Sequence, residues 1–203
     1  MKIYTSIGPN PGVVTLFLAE KGVSLPTETL DIIKGENRQP DYLAKNPTGG
    51  TPLLELDDGS FLSESIAICE FIEELHPSPP LIGSTAVERA ETRMWVRRID
   101  LGYVQPLVAG FRGAEGLPMF ESRMRCVTDG AAQLKACAAD GLASIDSQLA
   151  GRDFVCGDRL TLADLLLLAF TDFGAAVGQA PDPALANVAA WHARMKARTL
   201  VAA

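Results

Sequence analysis

The chain has 203 residues, 47% of them hydrophobic and 21% charged, an ordinary globular balance with enough apolar material for one or two compact domains. Its 18 Lys and Arg against 25 Asp and Glu leave a net charge of −7, which argues against a nucleic-acid partner, because polyphosphate binding needs a basic footprint. The longest apolar run, Leu165 to Phe170, is too short to cross a bilayer, and Met1 to Ser6 runs into a strand-like pattern without a leader. The expectation is a cytoplasmic protein with no membrane partner.

Taken in order, Lys2 to Thr5 reads as a strand. From Pro11, the residues Val13, Val14, Phe17 and Leu18 share one helical face, and Lys21-Gly22 closes that helix. A β-prone stretch returns over Pro26 to Ile32, so a parallel pair with a crossover is expected. Pro40 to Ala44 reads as a short helix. Pro52 to Leu56 and Ser60 to Leu62 flank Asp57-Asp58-Gly59 as a β-hairpin, and Ile68, Cys69, Ile72 and Leu75 mark a further helix face. The proline-dense stretch after His76 separates this βαβ–ββα part from one dominated by alanine-rich helical patterns. We expect an α/β domain over residues 1–78, a linker over 79–85 and an all-α domain over 86–203. In the latter, Val87 to Gln105 reads as a long helix stopped by Pro106, and Pro118 to Leu149 shows helical spacing. Thr161 to Phe173 reads as a buried helix opened by a Thr161/Asp164 capping box, and Leu185, Val188 and Met195 suggest one more.

The four cysteines, Cys69, Cys126, Cys137 and Cys156, include no CxxC pair, and His76 and His192 are the only histidines. No metal site is expected from these spacings. Each cysteine has an apolar context and reads as a buried structural thiol. Arg89, Arg93 and Arg97 stand four apart and read as a solvated face paired with Glu88 and Glu91. Tyr103, Phe111 and Trp191 read as packing residues.

Three segments can meet at one sheet edge: Ser6 to Pro11, the run NPTGGTP from Asn46 to Pro52, and Ser63-Glu64-Ser65. A helix start offers unpaired N–H donors and partial positive charge, which suit a carboxylate. The Ser65 hydroxyl adds a donor and Glu64 suits an ammonium, so the pair can read the α-amino acid end of a ligand. The plainer alternative is that Ser63 or Ser65 only caps a helix, and Asn10-Pro11 likewise reads as an N-cap followed by proline.

On these residues, the first part resembles the thioredoxin-like domain of the glutathione transferase family, and the second part, with GDRLTLAD from Gly157 to Asp164, is similar to that family's helical domain. The resemblance implies glutathione as co-substrate, read at its γ-glutamyl end by Glu64 and Ser65. It implies a cis bond before Pro52 that aims the Thr51 backbone at the ligand, and a role for some of Lys34, Gln39 and Arg38 with the glycyl carboxylate. It implies a thiol-activating donor at Asn10, as in the asparagine-type classes, or at Ser6, as in the serine-type classes. Gly12, Val13 and Val14 stand where many members carry a basic residue, and Thr51 where many carry an aliphatic one. The implied activity is conjugation of the thiolate to a hydrophobic electrophile by a homodimer, and the resemblance permits Asp100 to contact a ligand amine across the dimer. A glutathione-dependent disulfide reductase and a non-catalytic interaction module are the alternatives.

Overall fold

The structure is a computed structural model that describes residues 1–201, with side chains through residue 198. Residues 202 and 203 of the expected helical domain lie outside the described residues. The chain divides into two compact units, Met1–Leu81 and Ile82–Ala203.

In the first unit, β1 (Lys2–Thr5), α1 (Pro9–Lys21) and β2 (Thr27–Thr29) form the expected crossover, with β1 and β2 parallel. After a short helix, α2 (Pro40–Leu43), the hairpin β3 (Leu53–Glu55) and β4 (Phe61–Ser63) leads into α3 (Ser65–Leu75). The sheet order β2-β1-β3-β4, with β3 antiparallel to both neighbours, makes this a thioredoxin-like domain. Strand alternation splits the core by face. Tyr4 and Leu53 pack with Tyr42 of α2, and Ile3 and Leu54 are buried on the opposite face. Val13, Val14 and Phe17 of α1 and Ile68, Cys69 and Ile72 of α3 are buried as expected, but Leu75 is exposed. It ends its helix, and Glu73 is buried in its stead. Gly22, at φ 64°, closes α1 with bonds to the Leu18 and Ala19 carbonyls.

The Lys21 ammonium is wholly buried and pairs with Glu73. It also donates to the His76 carbonyl at 2.8 Å and to the Pro79 carbonyl, while Glu73 accepts the Leu81 N–H. These bonds fasten residues 76–81 onto the first unit.

The second unit is helical. Thr85 and Glu88 form a capping box that opens α4 (Ala86–Ile99). Pro106 does not stop this helix. A π-helical stretch, Asp100–Val104, passes directly into α5 (Gln105–Arg112), so the run extends past the proline. A proline inside an α-helix lacks an N–H and clashes with the carbonyl four residues back, here that of Gly102. The wider π turn accommodates it, with the Gln105 N–H reaching back to the Asp100 carbonyl. The Gly102 carbonyl lies against Gly141, where a Cβ would stand only 2.0 Å from the oxygen.

The helical spacing from Pro118 to Leu149 also breaks. Only α6 (Leu117–Phe120) and α7 (Ala131–Leu149) are helical, with Gly130 as the N-cap of α7. Here α7 presents Ala138, Leu142, Ile145 and Leu149 to the core, and Cys137, one position off that stripe, is exposed. Cys126 falls in the connection and is half-buried, so only Cys69 and Cys156 are the buried thiols expected. Burial pushes both of those thiols up from their ordinary pKa.

The remaining helices are α8 (Leu162–Ala176), buried along most of its length, and α9 (Ala186–Val201). Asp164 in the first turn of α8 has no exposed surface. It accepts the Val155 N–H at 2.8 Å, the Thr161 N–H at 3.0 Å, the Thr161 hydroxyl at 3.2 Å and the Trp191 indole N–H at 3.0 Å. Burial pushes its carboxyl up to about 6 against those four donors. On α4, Arg89 and Arg97 pair differently from expectation. Glu88 is used by the capping box and Glu91 pairs with Arg159 at 2.7 Å. Arg89 donates to the Gly83 and Ser84 carbonyls, and Arg97 pairs with Asp100. Among the described residues no helix is long and apolar enough to cross a membrane, and no group of three or more His, Cys, Asp or Glu could hold a metal ion.

Candidate functional site

Sheet register brings the three segments to one edge of the first unit. Tyr4 near the end of β1 pairs with Leu53 at the start of β3, and Leu53 pairs with Ser63 at the end of β4. The residues just after β1, just before β3 and just after β4 therefore converge. Two direct side-chain bonds join them. Ser6 Oγ lies 2.6 Å from Thr51 Oγ1, and Ser65 Oγ donates to Asn10 Oδ1 at 3.3 Å. Ser6 Oγ also donates to the Ile7 carbonyl at 3.0 Å.

The Thr51–Pro52 bond is cis, and Pro52 is buried. Thr51 precedes β3, so its backbone N–H and C=O lie outside the strand ladder, and neither has a hydrogen-bond partner among the described residues. An extended peptide can add to such a pair of groups as a strand adds to a sheet edge.

Both helix starts are open. The N-cap of α1 is Gly8, and Asn10 lies inside the first turn without capping it, because the helix begins at Pro9. With Oδ1 engaged by Ser65, the Asn10 Nδ2 group is the free end of the amide, and the residue is exposed. The N-cap of α3 is Glu64, and no side chain caps it, so neither Ser63 nor Ser65 serves as a cap. Its first-turn N–H groups and the positive end of its dipole are left for another acceptor. Glu64 is exposed and holds φ 74°, the one described non-glycine residue at positive φ. Such a conformation costs about 1–3 kcal/mol and is concentrated at functional sites.

The NPTGGTP run is held by its own Asn46, by Arg38, and by two residues that no sequence pattern singles out, Asn37 and Tyr42. Tyr42 donates its hydroxyl to the Gly50 carbonyl at 2.6 Å, and the buried Asn46 amide donates to the same carbonyl at 2.9 Å. Asn37, also buried, donates to the Gly49 carbonyl at 2.6 Å, and Arg38 to the Thr48 carbonyl at 3.0 Å. Arg38 thereby has a structural role. Asn46 could have been found from its place at the head of a Thr-Gly-Gly turn. Nothing local marks Asn37 or Tyr42, whose acceptors lie several residues away. The structure does not bond Lys34 or Gln39 to the Ser6, Asn10, Thr51 and Ser65 group. Lys34 pairs with Asp31 at 3.0 Å, and that bond raises its pKa. Gln39 reaches only the Gly35 carbonyl, at 3.4 Å.

The chain is similar to known proteins in sequence and in fold. The family model for the glutathione S-transferase N-terminal domain matches residues 8–75, and that for the C-terminal domain matches residues 133–199. Glutathione S-transferase 2 of Saccharomyces cerevisiae is 34% identical over 205 residues, spanning 99% of this chain and 88% of the yeast protein. The crystal structure of a glutathione S-transferase domain-containing protein from Marinobacter aquaeolei superposes with a TM-score of 0.91 at 34% identity, covering 98% of each chain. That of Gtt2 from Saccharomyces cerevisiae gives 0.89 at 33% identity, over 97% of this chain and 96% of the yeast one. With both domain models matched and a relative aligned along nearly its whole length, the chain belongs to the glutathione S-transferase family.

Proposed function

We propose that this protein is a glutathione transferase, binding reduced glutathione at the sheet edge of its first unit and conjugating the thiolate to a hydrophobic electrophile. In this reading the γ-glutamyl carboxylate lies on the open start of α3 and on the Ser65 hydroxyl, and the Glu64 carboxylate takes the ammonium. The cysteinyl backbone pairs with the free N–H and C=O of Thr51. Lys34 and Gln39, both exposed, are then the groups to turn toward the glycyl carboxylate. The observation that carries the reading is the uncapped start of α3 beside the unpaired backbone of Thr51.

The chemical task is to hold the sulfur as an anion. A thiol of pKa near 8.5 is only about 3% ionised at neutral pH. Lowering that pKa by about two units takes roughly 2.7 kcal/mol of preference for the anion. One hydrogen bond to a charged acceptor supplies about 1.5–3 kcal/mol, and the positive end of α1 about 0.3–1 kcal/mol more. Neutral donors therefore suffice, and the thiol proton passes to solvent. The Asn10 amide, free at Nδ2, is the principal donor in this account and Ser6 the second. Rate then comes from placement and from anion stabilisation that is already in position.

The same reading has the protein acting in the cytoplasm as a homodimer. Val87, Met94 and Leu101 are exposed at seven-residue intervals along α4 and the π-helical stretch, an apolar stripe that pairing of two copies would bury. Met94→Glu is expected to shift sedimentation from dimer toward monomer.

Glutathione titration followed by conjugation of a chloronitrobenzene-type electrophile from pH 6 to 8 tests the function itself. Binding with turnover is the expected result, and absence of both overturns it. Reduction of a mixed disulfide without conjugation would make the protein a glutathione-dependent disulfide reductase instead.

A further inference from the structure

The contact between Ser6 and Thr51 leads one step further, resting on the glutathione reading. Their hydroxyl oxygens stand 2.6 Å apart, at the short end of the range for O–H···O bonds. Each hydroxyl carries one hydrogen. Ser6 Oγ also lies 3.0 Å from the Ile7 carbonyl, which can only accept. A single arrangement satisfies both contacts: Thr51 donates to Ser6, and Ser6 donates to Ile7. The order of the two hydrogens is therefore set by the acceptor at the far end.

We propose that Thr51 is a positioning residue whose side chain acts through Ser6, as the first member of a two-hydroxyl relay that ends on the glutathione thiolate. The Ile7 carbonyl is a neutral acceptor beside a residue 64% exposed, where water can replace the Ser6 hydroxyl. A thiolate is charged, and hydrogen bonds to charged acceptors are roughly twice as strong as neutral ones. When the sulfur arrives, the Ser6 hydrogen swings from the carbonyl to the anion by rotation about Cβ–Oγ. The Ser6 oxygen stays where it is, and Thr51 continues to donate to it. That second bond polarises the Ser6 O–H, and serial hydrogen bonds strengthen one another by about 10–30%. It also fills the acceptor side of Ser6, so that the hydroxyl meets the sulfur as a donor. No proton is transferred along the relay, and the thiol proton still leaves to solvent. The role belongs to the Thr51 side chain and leaves its backbone N–H and C=O to the ligand's peptide.

The test is the apparent pKa of bound glutathione, read from its ultraviolet thiolate band across pH. Wild type is compared with Thr51→Val, Ser6→Ala, the double variant and Thr51→Ser. The relay predicts a rise of a few tenths of a unit for Thr51→Val and a larger rise for Ser6→Ala. The double variant should rise no further than Ser6→Ala, because Thr51 has no other route to the sulfur. Thr51→Ser, which keeps the hydroxyl, should return the wild-type value. Thr51→Ala replaces Thr51→Val if the latter does not fold. A silent Thr51→Val, effects that add in the double variant, or a Thr51→Ser that fails to restore the pKa overturns the relay and leaves the glutathione reading standing. A wild-type protein that binds no glutathione overturns both.

Discussion

Two helix starts, one in each unit, make an instructive pair. At the start of α8, Asp164 is fully buried and takes four donors, and a capping box with Thr161 closes the turn. At the start of α3 no side chain caps the helix, the residue ahead of it is at positive φ, and the neighbouring Thr51 backbone is unpaired. Both carry the same positive dipole end and the same orphan N–H groups. One spends them on its own chain, and the other leaves them for something that the chain does not contain. A saturated polar cluster is a stability element. An unsaturated one, on an edge held firm by Tyr42, Asn37 and Asn46, is where a ligand gains the most.

The largest effect should come from the saturated side. Asp164→Asn replaces one accepting oxygen with an amide that faces N–H and O–H donors, and bonds to a buried charge are worth about 1.5–3 kcal/mol each. A loss of roughly 3 kcal/mol or more in denaturant unfolding is expected, with glutathione affinity in the folded fraction unchanged. The variant also has a pH signature. The Asp164 carboxyl is raised from 3.8 to about 6 in the fold, so the folded state favours its protonated form. Its contribution therefore becomes more favourable as pH falls from about 6 to 4, and it is least favourable above that window. The asparagine lacks this dependence, so the stability gap between wild type and variant should widen over the same fall in pH. A gap that narrows would mean that the four donors outweigh burial.

Ser65→Ala sharpens the other side of the pair. We expect glutathione affinity to fall by about 1–3 kcal/mol, the cost of losing a charge-assisted bond, as read by calorimetric titration. Unfolding stability should move by less than about 1 kcal/mol, because the only side-chain bond lost among the described residues is the 3.3 Å contact with Asn10. The reverse pattern, stability lost and affinity kept, would erase the distinction between the two helix starts.

What the sequence revealed follows the same division. Elements defined by local periodicity and turn chemistry were legible, among them the β1–α1–β2 crossover, the hairpin around Gly59 and the Thr161/Asp164 box. So were the residues gathered at the sheet edge, since each sits where a strand ends or a helix begins. The errors have long-range causes. Pro106 reads as a stop, yet a π turn carries the helix through it, with the Gly102 carbonyl set against Gly141 of α7. The helical spacing from Pro118 persists across a connection that is not helical over residues 121–130. Apolar neighbours made Cys137 look buried, although its position on α7 faces away from the Ala138 and Leu142 stripe. Asn37 and Tyr42 act on carbonyls of a separate loop, which no local pattern announces.

A smaller effect than either of these bears on which donor meets the sulfur. Without ligand Ser65 donates to Asn10 Oδ1 and leaves Nδ2 free; once the Ser65 hydrogen turns to the ligand carboxylate, the amide still meets the thiolate through Nδ2, because an anion only accepts. Asn10→Ala removes one neutral donor to an anion, and the apparent pKa of bound glutathione should rise by about one unit. Affinity measured well below that pKa should stay nearly constant, because the protonated thiol makes little demand on the amide. Asn10→Asp is the sharper variant. It keeps the shape and the acceptor for Ser65 but places a negative charge beside the sulfur, so the thiol should be harder to ionise than with alanine. Equal pKa values in the alanine and aspartate variants would mean that the amide faces away from the thiolate, and that Ser6 with the α1 dipole carries the stabilisation alone.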